Sequence, residues 1–370
     1  MKRLIPILLL CAMMLSGCAG ILDGSFHSVT PHVEKNEQKE EQILSVSNYA
    51  GLYNTLCAMI EKGTQNGLIS FARYDQEKIE PDMKRAIEKA MKEDPITAYA
   101  VTEIQYELGT NAGQSAVAVN ISYLHNRTEI LKIRYVDTMD QVREAIGEAM
   151  DKCEAGLVVY VQNYESVDVA QVATNYAAAN PDKVMELPAV TANVYPEEGE
   201  ERVVELKFAY QNSRDDLRSM QSHVQPLFNA AVIYAGHEGD ETDRFFKLYS
   251  FLMGLSPKFQ LETSITPAYS LMLHGVGDSR AFATAYSAMC RKAELECITV
   301  TGTRAGEPWY WNIICSGGVY YHIDLLQCHQ EDEFAGKLDA DMSGYVWDYS
   351  AYPPCIEPVE ENTENTEAAE

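Results

Sequence analysis

The sequence predicts an α+β protein. Three observations carry that prediction. Apolar residues recur at helical spacing in some windows and alternate with polar ones in others. The strand-like windows come in pairs joined by turn residues, as in antiparallel hairpins, rather than singly between helices. Each pair is followed by a helix, and the best marked of these open on a capping residue. At 370 residues there is room for two or three domains, and 46% hydrophobic with 23% charged residues is an ordinary globular composition.

The chain opens with Lys2 and Arg3, then an apolar run from Leu4 to Leu15 that is short for a membrane span. The run ends in Leu15-Ser16-Gly17-Cys18, which resembles the bacterial lipobox. That resemblance implies a lipoprotein signal peptide over residues 1–17, cleavage before Cys18 and diacylglyceration of its thiol. Two acyl chains on one Cys hold a protein stably at a membrane face. The expected address is therefore extracytoplasmic, anchored by lipid to the cell membrane. Residues 18–46 are polar and aperiodic, as a disordered tether would be.

From Ser47 the apolar period begins, with Leu52, Leu56, Met59 and Ile60 on one helical face. Pro81 stands at a helix start, Met83, Ile87 and Met91 follow at spacings of four, and Pro95 closes the segment. Ala98 to Leu108 reads as a strand, Asn111-Ala112-Gly113 as a turn, and Val117, Val119 and Ile121 as the return strand. Ile130 to Tyr135 reads as a further strand. Thr138 with Gln141 makes a capping box for a helix carrying Val142, Ile146, Ala149 and Cys153. A second pass follows: a helix at Val167–Ala179, strands Ala189–Tyr195 and Val203–Tyr210 around a turn at Glu197–Glu200, and a helix opened by Ser213 and carrying Leu217, Val224 and Phe228. AVTEIQYEL resembles AVTANVYPE, and VAVNISY resembles VVELKFAY. The pattern reads as a duplicated strand–strand–helix unit over 97–162 and 164–235. It holds no phosphate loop and no metal spacing, so the default for this region is a small scaffold or protein-binding module.

Gly236 to Asp240 is a polar break, which divides the folded chain into 47–238 and 239–356. Phe245, Phe246, Leu248, Tyr249, Leu252 and Met253 make the next helix face. Then come AYSLMLHGVGDSRAFA at Ala268–Ala283, WYWN at Trp309–Asn312 and YYHID at Tyr320–Asp324. These blocks resemble the core of the transglutaminase-like, papain-related superfamily, whose counterparts read roughly AYGALVNGKAVCEGYA, HAWN and WYHVD. Ala268, Tyr269, Gly275 and Ala283 match, and Phe282 stands for the usual Tyr. The resemblance implies a C-terminal transglutaminase-like (cysteine-protease-like) domain. It puts the nucleophilic Cys of the family on Ser279, its His on Trp309 and its Asp on Asp324. Cys328–Ala340 reads as loop, SGYVWDYSAYPPC closes the domain with aromatic packing, and 357–370 is an acidic, disordered tail.

In the family the nucleophile begins a core helix, where the dipole lowers a thiol pKa. Here the helix begins near Asp278-Ser279, and both residue types also serve simply as helix caps. A Ser nucleophile needs an adjacent base, and the indole of Trp309 only donates. Trp309 is then a packed aromatic, or with Tyr310 or Trp311 a platform lining a ligand groove. Asp324 caps a loop or accepts from the Trp309 N–H. His322 and His274 are the two imidazoles near enough in sequence to rescue Ser279 as a base. Cys290, Cys297 and Cys315 have no activating neighbour.

Of nine Cys, removing Cys11 and Cys18 leaves seven, with no CxxC pair. Cys328 with Cys355 is the candidate disulfide, against buried free thiols. No cofactor is expected. A metal set of His322, Asp324 and His329 has no recognised spacing, so no metal is expected either. The net charge of −26, with dispersed Lys and Arg, excludes nucleic acid as a partner. The first functional reading is a non-enzymatic, membrane-anchored binding or scaffold protein for a peptide, protein or cell-wall ligand. The alternative is a hydrolase or acyltransferase using Ser279.

Overall fold

The computed structural model describes residues 43–256 and 258–357. The expected signal peptide, Cys18, nearly all of the expected tether and nearly all of the acidic tail lie outside these residues. Within them the chain is α+β, and its strands form three four-stranded sheets.

The first sheet uses β1 (Ile43–Val46), β2 (Asn66–Phe71), β3 (Val101–Asn111) and β4 (Gln114–Tyr123). The tether expected through residue 46 therefore ends sooner, because Ile43–Val46 pairs in parallel with Leu68–Phe71. Between β1 and β2 lies α1 (Tyr49–Glu61), capped by Asn48, whose side chain accepts from the Gly51 N–H at 2.8 Å. Its expected face is right: Leu52, Leu56, Met59 and Ile60 are buried. Then come α2 (Ile79–Glu93) and α3 (Pro95–Ala100). Pro95 closes one helix and opens the next. Asp94 caps α3 by accepting from the Thr97 N–H at 2.8 Å, and Pro at the first position loses no hydrogen bond. The strand expected from Ala98 accordingly begins at Val101. The strand expected over Ile130–Tyr135 is also redrawn, as α4 (Arg127–Ile130) and β5 (Arg134–Thr138). A capping box of Asn126 and Glu129 fixes that helical turn, so local polar bonds override the apolar pattern.

The second sheet uses β5, β6 (Gly156–Asn163), β7 (Ala189–Tyr195) and β8 (Arg202–Ala209), with α5 (Met139–Asp151) and α6 (Val169–Ala179) on one face. Thr138 and Gln141 form the expected capping box of α5. The first sheet runs β1-β2-β4-β3 and the second β5-β6-β8-β7, and in each the first pair is parallel and the others antiparallel. The topologically equivalent stretches are thus 43–123 and 134–209. The resembling peptides fall on β3 and β7, and on β4 and β8, but the divisions 97–162 and 164–235 cut across both sheets.

The third part holds α7 (Arg214–Ala235), α8 (Glu241–Gly254), α9 (Pro267–His274), α10 (Ser279–Lys292), β9 (Cys297–Arg304), β10 (Glu307–Ser316), β11 (Val319–Ile323), α11 (Leu325–Glu331) and β12 (Tyr345–Trp347). By packing, α7 belongs here and not before the break at Gly236. Its Leu217, Val224 and Phe228 share one core with Phe245, Leu252, Phe282 and Tyr286. The sheet, in order β11-β10-β9-β12, lies between α10 and the closing segment. Strand alternation in β10 divides the two faces. Asn312 and Ile314 meet α10, while Trp311 and Ile313 pack with Met342, Tyr345, Trp347 and Cys355. The loop expected at 328–340 begins with the end of α11. Cys57, Cys153, Cys290, Cys297, Cys315, Cys328 and Cys355 are free thiols, so the suggested Cys328–Cys355 bridge is not formed.

Candidate functional site

The three positions assigned by resemblance meet where the start of α10 faces β10 and the end of β11. Asp278 is the cap of α10: one carboxylate oxygen accepts from the Ala281 N–H at 2.9 Å, the other from the Thr263 hydroxyl at 2.9 Å. Ser279 is therefore the first helical residue rather than the cap. It is 8% exposed, and its Oγ accepts from the Tyr310 N–H at 3.2 Å. The hydroxyl has no imidazole bonded to it among the described residues.

The neighbouring Trp309 donates its indole N–H to Asp324 Oδ2 at 2.8 Å. Asp324 is held by much more than Trp309. The same oxygen accepts from the Tyr345 hydroxyl at 2.6 Å and lies 3.4 Å from the Arg304 guanidinium. Its Oδ1 accepts from the backbone N–H groups of Leu326 and Gln327 at 3.1 and 3.2 Å, which caps α11. Asp324 accepts from Trp309 as expected, and the cap it forms is on a helix rather than on a loop. Burial first, and then the bond to Asp324, push the Tyr345 phenol up, so it donates as a neutral hydroxyl. The Arg304 guanidinium also lies over the rings of Trp309 and Tyr345, at 5.4 and 5.3 Å from their centres. Arg280 lies over the Tyr310 ring at 5.6 Å. The result is a carboxylate closed in by donors and one cation, beside a hydroxyl without a base.

Neither rescue candidate serves Ser279. His322 is buried on the far face of β10. Its Nδ1 accepts from the Trp311 indole N–H at 2.9 Å, and its Nε2 meets Asp339 at 2.8 Å. An indole N–H can only donate, so Nδ1 is bare and Nε2 carries the proton that Asp339 accepts. Burial lowers the His322 pKa, against the pull of Asp339. His274 ends α9, exposed, with its ring edge on Tyr269 at 5.3 Å.

The set His322, Asp324 and His329 is not brought together: His329 packs its ring on Phe259 instead. The one group with metal-like proximity among the described residues is His322, Asp339 and Cys355. It does not suit a metal. The protonated Nε2 has no lone pair to give, and burial followed by the Asp339 charge pushes the Cys355 thiol up to about 12. Cys290 is likewise raised well above the usual thiol range, chiefly by burial, and offers no nucleophile.

Arg304, Tyr345 and Asp339 escaped sequence reasoning. The signal available was indirect: a buried Asp or His must find partners, but the chain does not say which residues supply them.

No family model and no curated protein matches the chain. Solved structures that resemble it weakly include the following two. One is a TGase, at TM-score 0.23 and 11% identity over 52% of this chain and 58% of that one. The other is a proposed protease from Parabacteroides distasonis, at TM-score 0.22 and 6% identity over 70% of this chain and 40% of that one. The chain thus spans less than two thirds of either neighbour, and the site is argued from its own geometry.

Proposed function

We propose that this chain is a lipid-anchored, extracytoplasmic protein whose C-terminal part is a transglutaminase-like domain without that family's catalysis. On this reading the 43–123 and 134–209 units are duplicates serving as scaffold, and the protein binds or scaffolds a peptide, protein or cell-wall ligand. The observation that carries the loss of catalysis is the bond from the Trp309 N–H to Asp324. It occupies the place of a His–Asp pair with a group that cannot take a proton. Ser279 is left with a backbone N–H donor and no base, and a neutral Ser hydroxyl is a weak nucleophile.

One intact-mass experiment tests both halves. The full chain would be extracted from membranes in detergent and treated with a fluorophosphonate, with Ser279→Ala in parallel. The expected result is a mass that begins at a diacylglycerated Cys18 and gains nothing from the probe. Stoichiometric labelling lost in Ser279→Ala would overturn the non-catalytic reading in favour of a serine hydrolase or acyltransferase. An unmodified Cys18 would overturn the anchor.

A further inference from the structure

A groove of about 550 Å³ lies away from Ser279, between α3 with the segment after β4 and the second sheet. Its floor is the sheet face turned away from α5 and α6. Val158 and Glu205 are neighbours across β6 and β8 there, and Gly156 and Lys207 form the next pair. Gly156 carries no side chain, and a Cβ there would meet the Leu206 carbonyl of β8 at 2.6 Å. One wall is aromatic: Tyr99 stacks on His125 with ring centres 4.0 Å apart and planes 9° apart.

Glu205 is the unusual member. It is a carboxylate only 5% exposed, with Asn193 and Lys207 beside it on the same face. Asn193 donates to one carboxylate oxygen at 3.2 Å, and Lys207 Nζ lies 3.1 Å from the other. A buried carboxylate needs a cation, yet the Lys207 side chain is 62% exposed and so is a loosely held partner. Around the groove the carboxylates of Glu129, Glu154 and Glu205 outnumber the ammonium groups of Lys132 and Lys207. Burial, and then the nearby Glu205 and Glu129 charges, push the Tyr99 phenol up, in keeping with two carboxylates lining the same groove.

We propose that this groove binds a primary alkylammonium group, with Glu205 as its counter-ion and the stacked Tyr99 and His125 rings as the wall for its alkyl arm. The incoming ammonium replaces the Lys207 head group, which swings into water. The ring wall favours a cation on an apolar stem over a hydrated metal ion. A free diamine and a lysine-type side chain of a peptide share this chemistry.

The test is calorimetric titration of the detergent-purified full chain with cadaverine, with Nα-acetyl-lysine methylamide and with 1-pentanol as the uncharged control. Saturable binding of cadaverine at one site is expected, with none of pentanol. Binding of the lysine amide at similar affinity assigns the site to peptides, and its failure beside cadaverine assigns it to free diamines. E205Q should weaken binding about tenfold or more, the loss of one charge-assisted contact. K207M should tighten it severalfold by removing the internal competitor; it also leaves Glu205 without its own cation, so circular dichroism first checks that the variant is folded. No saturable binding to the native chain, or equal binding by pentanol, overturns the proposal. So does unchanged affinity in E205Q, which would mean general attraction to an acidic surface. Should E205Q not fold, K207M decides alone, and unchanged affinity there overturns the proposal too.

Discussion

Asp324 shows how much a single buried carboxylate can hold together. Five donors converge on it, from Trp309, Tyr345, Arg304 and the first turn of α11. Removing the carboxylate strands a half-buried indole N–H, a phenol and two backbone donors, and leaves Arg304 without its anion. Asp324→Ala should cost about 3–5 kcal/mol of stability, the range for breaking a buried pair. Urea unfolding reads this directly, and a loss under about 0.5 kcal/mol, the scale of a surface change, would show that Asp324 is a bystander. His322 carries the pH dependence. Its folded pKa lies below the ordinary 6.5, chiefly through burial. A His held neutral in the fold contributes stability in full above its unfolded pKa. That contribution is lost as pH falls from about 6.5 toward the lowered folded value, because only the unfolded chain takes the proton. The native protein should therefore lose stability between pH 7 and 5 more steeply than His322→Gln, and parallel curves would contradict the assignment. Ser279, Trp309 and Asp324 stood out together because the three motif blocks keep their order in the chain, and the structure bonds Trp309 to Asp324 and the adjacent Tyr310 to Ser279. Arg304, Tyr345 and Asp339 did not stand out, since nothing local marks them. They matter only once the closing segment has folded over the sheet.

Among the elements, those with polar punctuation were legible and those without were not. α5 and α7 announce themselves by Thr138 and Ser213, whose hydroxyls accept from N–H groups three residues on. α10 begins the same way, with Asp278 as its cap. Asp278→Ala should cost about 1 kcal/mol in thermal or urea unfolding. It should also loosen the contact of Ser279 with Tyr310, since that contact depends on where the first turn sits. A shift in neither would mean that packing of Phe282 and Tyr286 alone sets the helix start. β6 is the contrary case. Val159 and Val161 face the core under α5 and α6, while Val158 and Tyr160 face the core of the first unit. A strand covered on both sides has no alternation to read, so GLVVYVQN gave no period-two signal. β1 failed for another reason: four residues after a polar stretch are too few for any period, and its parallel partner lies beyond α1.

On the scale of the whole molecule, the cores are shared between neighbouring parts. Val203 of the second sheet packs into the core of the first unit. Cys153 and Met185, from the second unit, pack into the core of the C-terminal part. Asp182, 2% exposed, adds a polar clasp there: Lys292 Nζ lies 3.2 Å away, and Arg291 donates to the Ala179 carbonyl at 2.7 Å. The break at Gly236–Asp240 is a true change in composition, yet it is a loop inside one core, because α7 must reach back across it to bury its apolar face. Composition reports solvent exposure, not which side of a loop a helix packs on. The consequence is quantitative. Leu217, Val224 and Phe228 are essentially fully buried in that core, and burial is worth roughly 1.5–3 kcal/mol for each such side chain. Their sum rivals the 5–15 kcal/mol that holds a typical domain together. A fragment of residues 239–357 should therefore lack a cooperative thermal transition, whereas 211–357, which retains α7, should show one. The comparison isolates the helix, because both fragments lack the second unit equally. If 239–357 melted cooperatively at the same temperature as 211–357, α7 would be an appendage to the C-terminal core and the division of the chain would return to the polar loop.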